Sequence, residues 1–164
     1  MTRLKKTTDQ LRHLIDSTIV RAHQHAAGAR GGQEKQALGR SAGGFTSKLH
    51  LCSEASGSAD RFLLTGGQEH DVTKAAELTA HLKIGCSVAA DKGYDSSEYR
   101  LNLLYRDIEP VIPSRSNRQY KAPYDREKYG DRYRIECFFN RLKQHRGIAT
   151  RYDKLAKSFL SFIH

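Results

Sequence analysis

A chain of 164 residues with 38% hydrophobic side chains suffices for one domain with a single core. No apolar run approaches the 18 or more residues of a membrane span, and the N-terminus has no signal-peptide core. The three cysteines (Cys52, Cys86, Cys137) show no C-x-x-C spacing, which argues against a zinc knuckle or a disulfide framework and suits a reducing cytosol. Formal net charge is +10, from 28 Lys and Arg against 18 Asp and Glu. It is spread as +6 over residues 1–48, −4 over 49–113 and +8 over 114–164. This layout fits a polyanion gripped by the two ends of the chain, although charge alone equally fits simple solubility or an RNA or membrane contact.

Residues 1–10 are polar and basic and give no clear element. Residues 12–23 read as a strand, because Leu14, Ile15, Ile19 and Val20 are β-formers. Asp16 lies inside that strand, where an aspartate is costly unless something positive stands beside it. A strand-end or turn aspartate is the plain alternative. Residues 26–44 hold six glycines and predict a mobile loop. Strands follow at 45–53 and 61–65, joined by a turn over 54–60. Asp71 is placed to cap a helix over 72–82.

Residues 84–90 form a short apolar run that predicts a buried strand. Asp91 follows at its C-terminal end, where catalytic groups of open α/β sheets commonly sit. Before Gly93 it could equally be a turn aspartate. A helix over 97–107, a strand over 108–113 and a basic loop over 114–126 come next. One helix is then predicted from about residue 125, with Gly147 as the expected break. The order is β-β-β-α-β-α-β-α, an α/β fold with a mixed sheet and helices packed on it.

On that last helix, Tyr129, Arg132, Glu136 and Lys143 share an arc roughly 60° wide. Ile135, Phe138, Phe139 and Leu142 form the neighbouring apolar stripe. The bland reading is a solvated charged face with an Arg132–Glu136 pair at i, i+4, which would contribute about 0.2–0.5 kcal/mol. Against it stands the complete pattern Y-x2-R-x3-E-x6-K made by Tyr129, Arg132, Glu136 and Lys143. That pattern resembles the signature of bacterial insertion-sequence transposases of the DDE type, and the words after Lys143, Gln-His-Arg-Gly-Ile-Ala-Thr-Arg-Tyr-Asp, continue the likeness. Leu-Ile-Asp-Ser-Thr-Ile-Val-Arg around Asp16, Ala-Asp-Lys-Gly-Tyr-Asp around Asp91 and Gly-Gly-Gln-Glu-His-Asp at 66–71 also look like family segments.

The resemblance covers essentially the whole chain. It implies one catalytic domain over 1–164 with a ribonuclease H-like mixed β-sheet flanked by helices, and Asp16, Asp91 and Glu136 as catalytic acids and metal ligands. Three carboxylates from separate elements can hold two divalent cations; hard oxygen donors favour Mg²⁺, with Mn²⁺ as a substitute. The implied activity is metal-dependent cleavage and strand transfer of double-stranded DNA at insertion-sequence ends and target, by a homo-oligomer on DNA in a bacterial, nucleoid-associated cytoplasmic setting. Arg132 and Lys143 are expected to hold the phosphate strand and Tyr129 to stack on or hydrogen-bond to DNA. Arg115, Arg118, Lys121, Arg146 and Arg151 are expected backbone contacts. His23, His25 and His70 could suggest zinc, but they lack Cys partners or a second correctly spaced pair.

Only fifteen residues precede Asp16, so the DNA-recognition segment usual in the family is expected to be missing or supplied by an upstream reading frame. The non-enzyme alternative is a truncated DNA-binding remnant or an inhibitor of full-length transposase. A ribonuclease H or junction-resolving nuclease would share the acids but not the signature.

Overall fold

The computed structural model describes residues 12–41 and 43–164. The reading of residues 1–10 lies outside them.

The apolar run after Arg12 forms β1 (Arg12–Ala22), the strand from which the rest of the sheet is built. The segment predicted as a mobile loop is partly ordered. It carries a 3-10 turn (Gln24–Ala26), a one-turn helix α1 (Gly32–Lys35) and a short strand β2 (Gly39–Ser41). The reason is visible at Gly39. A Cβ there would lie 1.4 Å from the Gln68 side-chain oxygen, so the missing side chain is what lets Gln68 pack over this strand. Counting glycines finds flexibility; it does not find close approach.

β3 (Gly44–Glu54) runs antiparallel to β1, with Asp16 opposite Leu51, and β4 (Ala59–Gly66) runs antiparallel to β3. β2 continues the same edge of β3, past the end of β4. On the other edge of β1, β5 (Ser87–Ala89) pairs in parallel, followed by β6 (Glu109–Val111), parallel to β5. The far end of β1 pairs in parallel with β7 (Thr150–Arg151), a strand not anticipated from the sequence. The result is the expected mixed sheet with helices on both faces.

Alternation along β1 assigns the layers, because successive side chains point to opposite faces. Leu14 and Val20 join Leu49, Leu51, Ile135, Phe139 and Phe159 in one core. Ile15 joins Cys52, Leu78, Tyr94, Tyr99 and Leu103 in the other. Burying each of the larger side chains contributes about 1.5–3 kcal/mol.

The predicted helix over 72–82 is shorter than expected. It begins as a 3-10 turn (Asp71–Lys74) and continues as α2 (Ala75–Leu78). Asp71 does not cap it. Its carboxylate instead meets Lys48 Nζ at 2.8 Å and accepts the Ser17 hydroxyl at 2.6 Å. Arg106 donates to the carbonyls of Thr79, Ala80 and Leu82, satisfying the groups left open where the helix stops. α3 (Ser97–Tyr105) forms where predicted, with the Ser96 hydroxyl as its cap.

The long final helix is two. α4 (Arg126–Gly130), capped by Asp125, meets α5 (Tyr133–Leu142) through a joint at 131–132. There Arg132, Arg134 and Ile135 donate three residues back, to Tyr129, Asp131 and Arg132. Such turns advance about 120° per residue rather than 100°. Tyr129 is therefore out of phase with the predicted arc: it is half-buried against the core of Leu14, Ile135 and Phe139, its ring 5.5 Å from that of Tyr124. α5 also ends at Leu142, short of Gly147. A one-turn α6 (Arg146–Ala149) and α7 (Ala156–Ile163) complete the chain.

Candidate active site

Strand register brings the first two acids together. Leu14 of β1 stands opposite Ala89 of β5, and both belong to the core beneath α5. Two residues further along each strand come Asp16 and Asp91, which the alternation returns to the same face. Asp91 leaves β5 as the cap of a 3-10 turn (Lys92–Tyr94), its Oδ1 accepting the Gly93 amide at 2.8 Å. A Cβ on Gly93 would lie 2.8 Å from that oxygen, so glycine is what allows the carboxylate to fold back onto the turn.

The third acid arrives on α5, anchored by the wholly buried Ile135 next to it. Glu136 itself is exposed, its side chain 55% accessible, whereas that of Asp16 is 15% accessible. One guanidinium joins them. Arg132 Nη2 donates to Asp16 Oδ2 at 3.0 Å and Nη1 lies 3.1 Å from Glu136 Oε1. The Ser17 amide donates to Asp16 Oδ1 at 2.8 Å. Burial still pushes the Asp16 carboxyl above its ordinary value, with the Asp91 charge adding to it against the pull of Ser17 and Arg132.

Three carboxylates around one guanidinium leave two negative charges uncompensated. Their oxygens are not drawn to mutual ligand distance: among the described residues the only His, Cys, Asp or Glu group within 4.8 Å is elsewhere. Arg132 stands between Asp16 and Glu136. The donor set is hard oxygen and its charge deficit suits divalent cations, so Asp16, Asp91 and Glu136 fit the group expected there.

Behind Asp91 the sequence reading missed a polar hub. Asp95, its side chain 1% exposed, accepts Arg100 Nε at 2.8 Å and the Arg115 amide at 2.8 Å, with Arg118 Nη1 at 3.4 Å. Burial opposes the charge on Asp95, but these hydrogen bonds and cations outweigh it and hold the carboxyl below its ordinary value. Arg115 also donates to the carbonyls of Lys92 and Gly93, and Arg118 to Ser97 Oγ. Both arginines therefore brace the turn that carries Asp91. The clue was the Asp91/Asp95 spacing before a basic loop.

Of the other cations, Lys143 caps the C-terminus of α5 and is half-buried, with no side-chain hydrogen bond or ion pair to any described residue. Arg146 and Lys121 are exposed. Arg151 is a correction. It is 0% exposed and cannot reach a phosphate backbone. Its guanidinium donates to the Gln36, Ala37, Asp153 and Lys154 carbonyls and to Ser47 Oγ, and lies 5.4 Å from the Phe159 ring centroid. Nothing in a lone arginine of a basic tail distinguishes such an anchor from a DNA contact.

The chain is similar to known transposases in sequence and in fold. The protein named "Putative transposase for insertion sequence element IS6501", from Brucella ovis, is 37% identical over 124 residues, covering 73% of this chain and 93% of the relative. Its counterpart named for insertion sequence element IS402, from Burkholderia cepacia, is 38% identical over 80 residues, 42% of this chain and 38% of that protein. Among solved structures, the piggyBac transposase synaptic complex with hairpin DNA matches at TM-score 0.45 and 14% identity, over 66% of this chain and 24% of that one. The Mos1 transposase paired-end complex with left transposon end matches at TM-score 0.43 and 11% identity, over 99% and 57%. The family described as Transposase DDE domain matches residues 8–163, and the chain belongs to it.

Proposed function

We propose that this chain is the catalytic domain of an insertion-sequence transposase, cleaving and transferring DNA strands at element ends with Asp16, Asp91 and Glu136 as metal ligands. The observation that carries the reading is the convergence of those three acids from β1, the end of β5 and α5 onto one face, two of them linked through Arg132. Mg²⁺, or Mn²⁺ in its place, would supply activation of a water or 3′-hydroxyl and stabilisation of the leaving oxygen. Arg132 holds Asp16 and Glu136 against mutual repulsion, and its guanidinium would be the group available to a phosphate if those carboxylates held the metal. Lys143, two turns beyond Glu136, extends that contact along the strand, with Arg146 and Lys121 as outlying backbone contacts.

Calorimetric Mn²⁺ titration of the wild type and of Asp16→Asn, Asp91→Asn and Glu136→Gln tests the assignment. Each substitution should weaken binding, and unchanged affinity in all three would refute a shared centre. Tight DNA binding without cleavage in either metal would instead favour the inert DNA-binding alternative.

A further inference from the structure

Four side chains from separate stretches meet where β1 begins: His13 on β1, Cys52 on β3, Asp60 on β4 and His81 in the turn after α2. Ligand atoms of His13, Cys52 and Asp60 all lie within 4.8 Å of one another. His81 Nε2 is 2.6 Å from Asp60 Oδ2, and His13 Nδ1 is 3.6 Å from the same oxygen. His13 is 9% exposed, and its Nδ1 is buried with no hydrogen-bond partner. An orphaned buried nitrogen is costly, and this one stands 3.6 Å from a carboxylate. Cys52 is wholly buried and pairs in register with Ile15, which puts it on the α2–α3 face of the sheet.

We propose that His13, Cys52, Asp60 and His81 bind one Zn²⁺ ion, distinct from the centre formed by Asp16, Asp91 and Glu136. Thiolate and imidazole donors select Zn²⁺ over Mg²⁺. Two neutral imidazoles, one thiolate and one carboxylate leave the loaded site electrically neutral, which suits its burial. Tetrahedral bonds to nitrogen and oxygen of about 2.0–2.2 Å separate neighbouring ligand atoms by roughly 3.3–3.6 Å. The His13–Asp60 distance of 3.6 Å already meets that requirement. The His81–Asp60 hydrogen bond must open by under an ångström or so, and both groups are surface side chains free to do so. Binding breaks the Cys52 S–H bond and releases the proton to solvent, while sulfur keeps the electron pair as the donor.

The ion would tie β1, β3, β4 and the turn after α2 together. His13 lies three residues from Asp16, about 10 Å along the strand and on the opposite face. The two metal centres therefore share a strand but no ligand.

The test uses the whole chain, stripped with chelator and titrated with Zn²⁺, and with Co²⁺ as a coloured substitute. We expect one Zn²⁺ per chain bound more tightly than about 1 μM. Co²⁺ should give tetrahedral visible bands and a thiolate charge-transfer band that Cys52→Ser removes. His81→Ala and Asp60→Asn, at accessible positions, should weaken Zn²⁺ binding by at least about 10–100-fold, even if Cys52→Ser fails to fold. Asp91→Asn should leave it unchanged. Absence of stoichiometric binding, Co²⁺ bound without thiolate charge transfer, or binding that survives His81→Ala but not Asp91→Asn would overturn the proposal.

Discussion

Two arginines anchor the C-terminal third of the chain, and their surroundings differ in kind. Arg151 is sealed at 0% exposure among four backbone carbonyls, one hydroxyl and the Phe159 ring. Burial lowers its pKa, and no carboxylate lies within ion-pairing distance of it among the described residues. Arg132 is partly open, at 18% side-chain exposure, and is held by the carboxylates of Asp16 and Glu136. Neutral dipoles fixed by the backbone cannot exchange one cation for another; carboxylates at a surface can. The first arrangement suits a fastener joining α1, β3 and the C-terminal segment. The second suits a site whose charge partner changes.

Four perturbations bear on that contrast. The largest effect is expected from Glu136→Gln, which should lower strand cleavage by about a thousandfold or more, some 4 kcal/mol of barrier. Because Glu136 is exposed, thermal unfolding should hardly move. Cleavage within tenfold of wild type would remove Glu136 from the chemistry.

Arg151→Met should do the reverse. It leaves buried carbonyls without donors and should cost about 3 kcal/mol, lowering Tm by roughly 6–12 °C. Metal binding by the folded fraction should persist. A variant as stable as wild type would mean that the carbonyl cage is not what holds the C-terminal segment.

Lys143→Ala comes next. Folding stability should change by under about 0.5 kcal/mol, while cleavage falls about 30-fold or more, equivalent to about 2 kcal/mol of transition-state stabilisation. Full activity, in an assay where Glu136→Gln is inactive, would return that helix face to solvent.

The smallest effect concerns Asp16, whose pKa is raised above the ordinary value of 3.8. A carboxyl raised on folding contributes a penalty that is absent below the unfolded value and grows as pH rises through the folded one. In chelator at pH 7, Asp16→Asn should therefore unfold at a slightly higher temperature than wild type, and the difference should shrink on acidification below about pH 4. Asp71 and Asp95 run the other way. Burial opposes their charge, but their cations and hydrogen bonds prevail and their pKa values are lowered, so their stabilisation is lost as acid protonates them. Circular-dichroism melts across pH separate these contributions. If Asp16→Asn melted below wild type at pH 7, the carboxylate would be stabilising the fold rather than straining it.

β1, β3, β4, β5 and β6 were legible because each rests on local signals; β2 and β7 were not. β1 is a run of β-formers around one aspartate, and Asp91 stands just after an apolar run. What the sequence concealed depends on distant partners. Gly39 reads as a hinge until Gln68 is seen above it. Asp71 reads as a helix cap until Lys48, from a strand far back in the chain, is found beside it. The joint between α4 and α5 shifted Tyr129 inward, because a uniform helical wheel assumes one rise and one twist throughout. Arg151 looked like any basic residue of a basic tail. His13, Cys52, Asp60 and His81 are too far apart along the chain to form a motif.

The alternation of β1 has a further consequence for the history of such genes. Asp16 faces α5, while Ser17, its neighbour, faces Asp71 on the opposite side of the sheet. Inserting or deleting one codon between the start of β1 and Asp16 would exchange the two faces, putting the acid under α2 and the hydroxyl beneath Arg132. Decay of a copy by small in-frame indels should therefore silence it at β1 first. The stretch from 27 to 31, which adds no strand to the sheet, can drift in length while the acids stay in register.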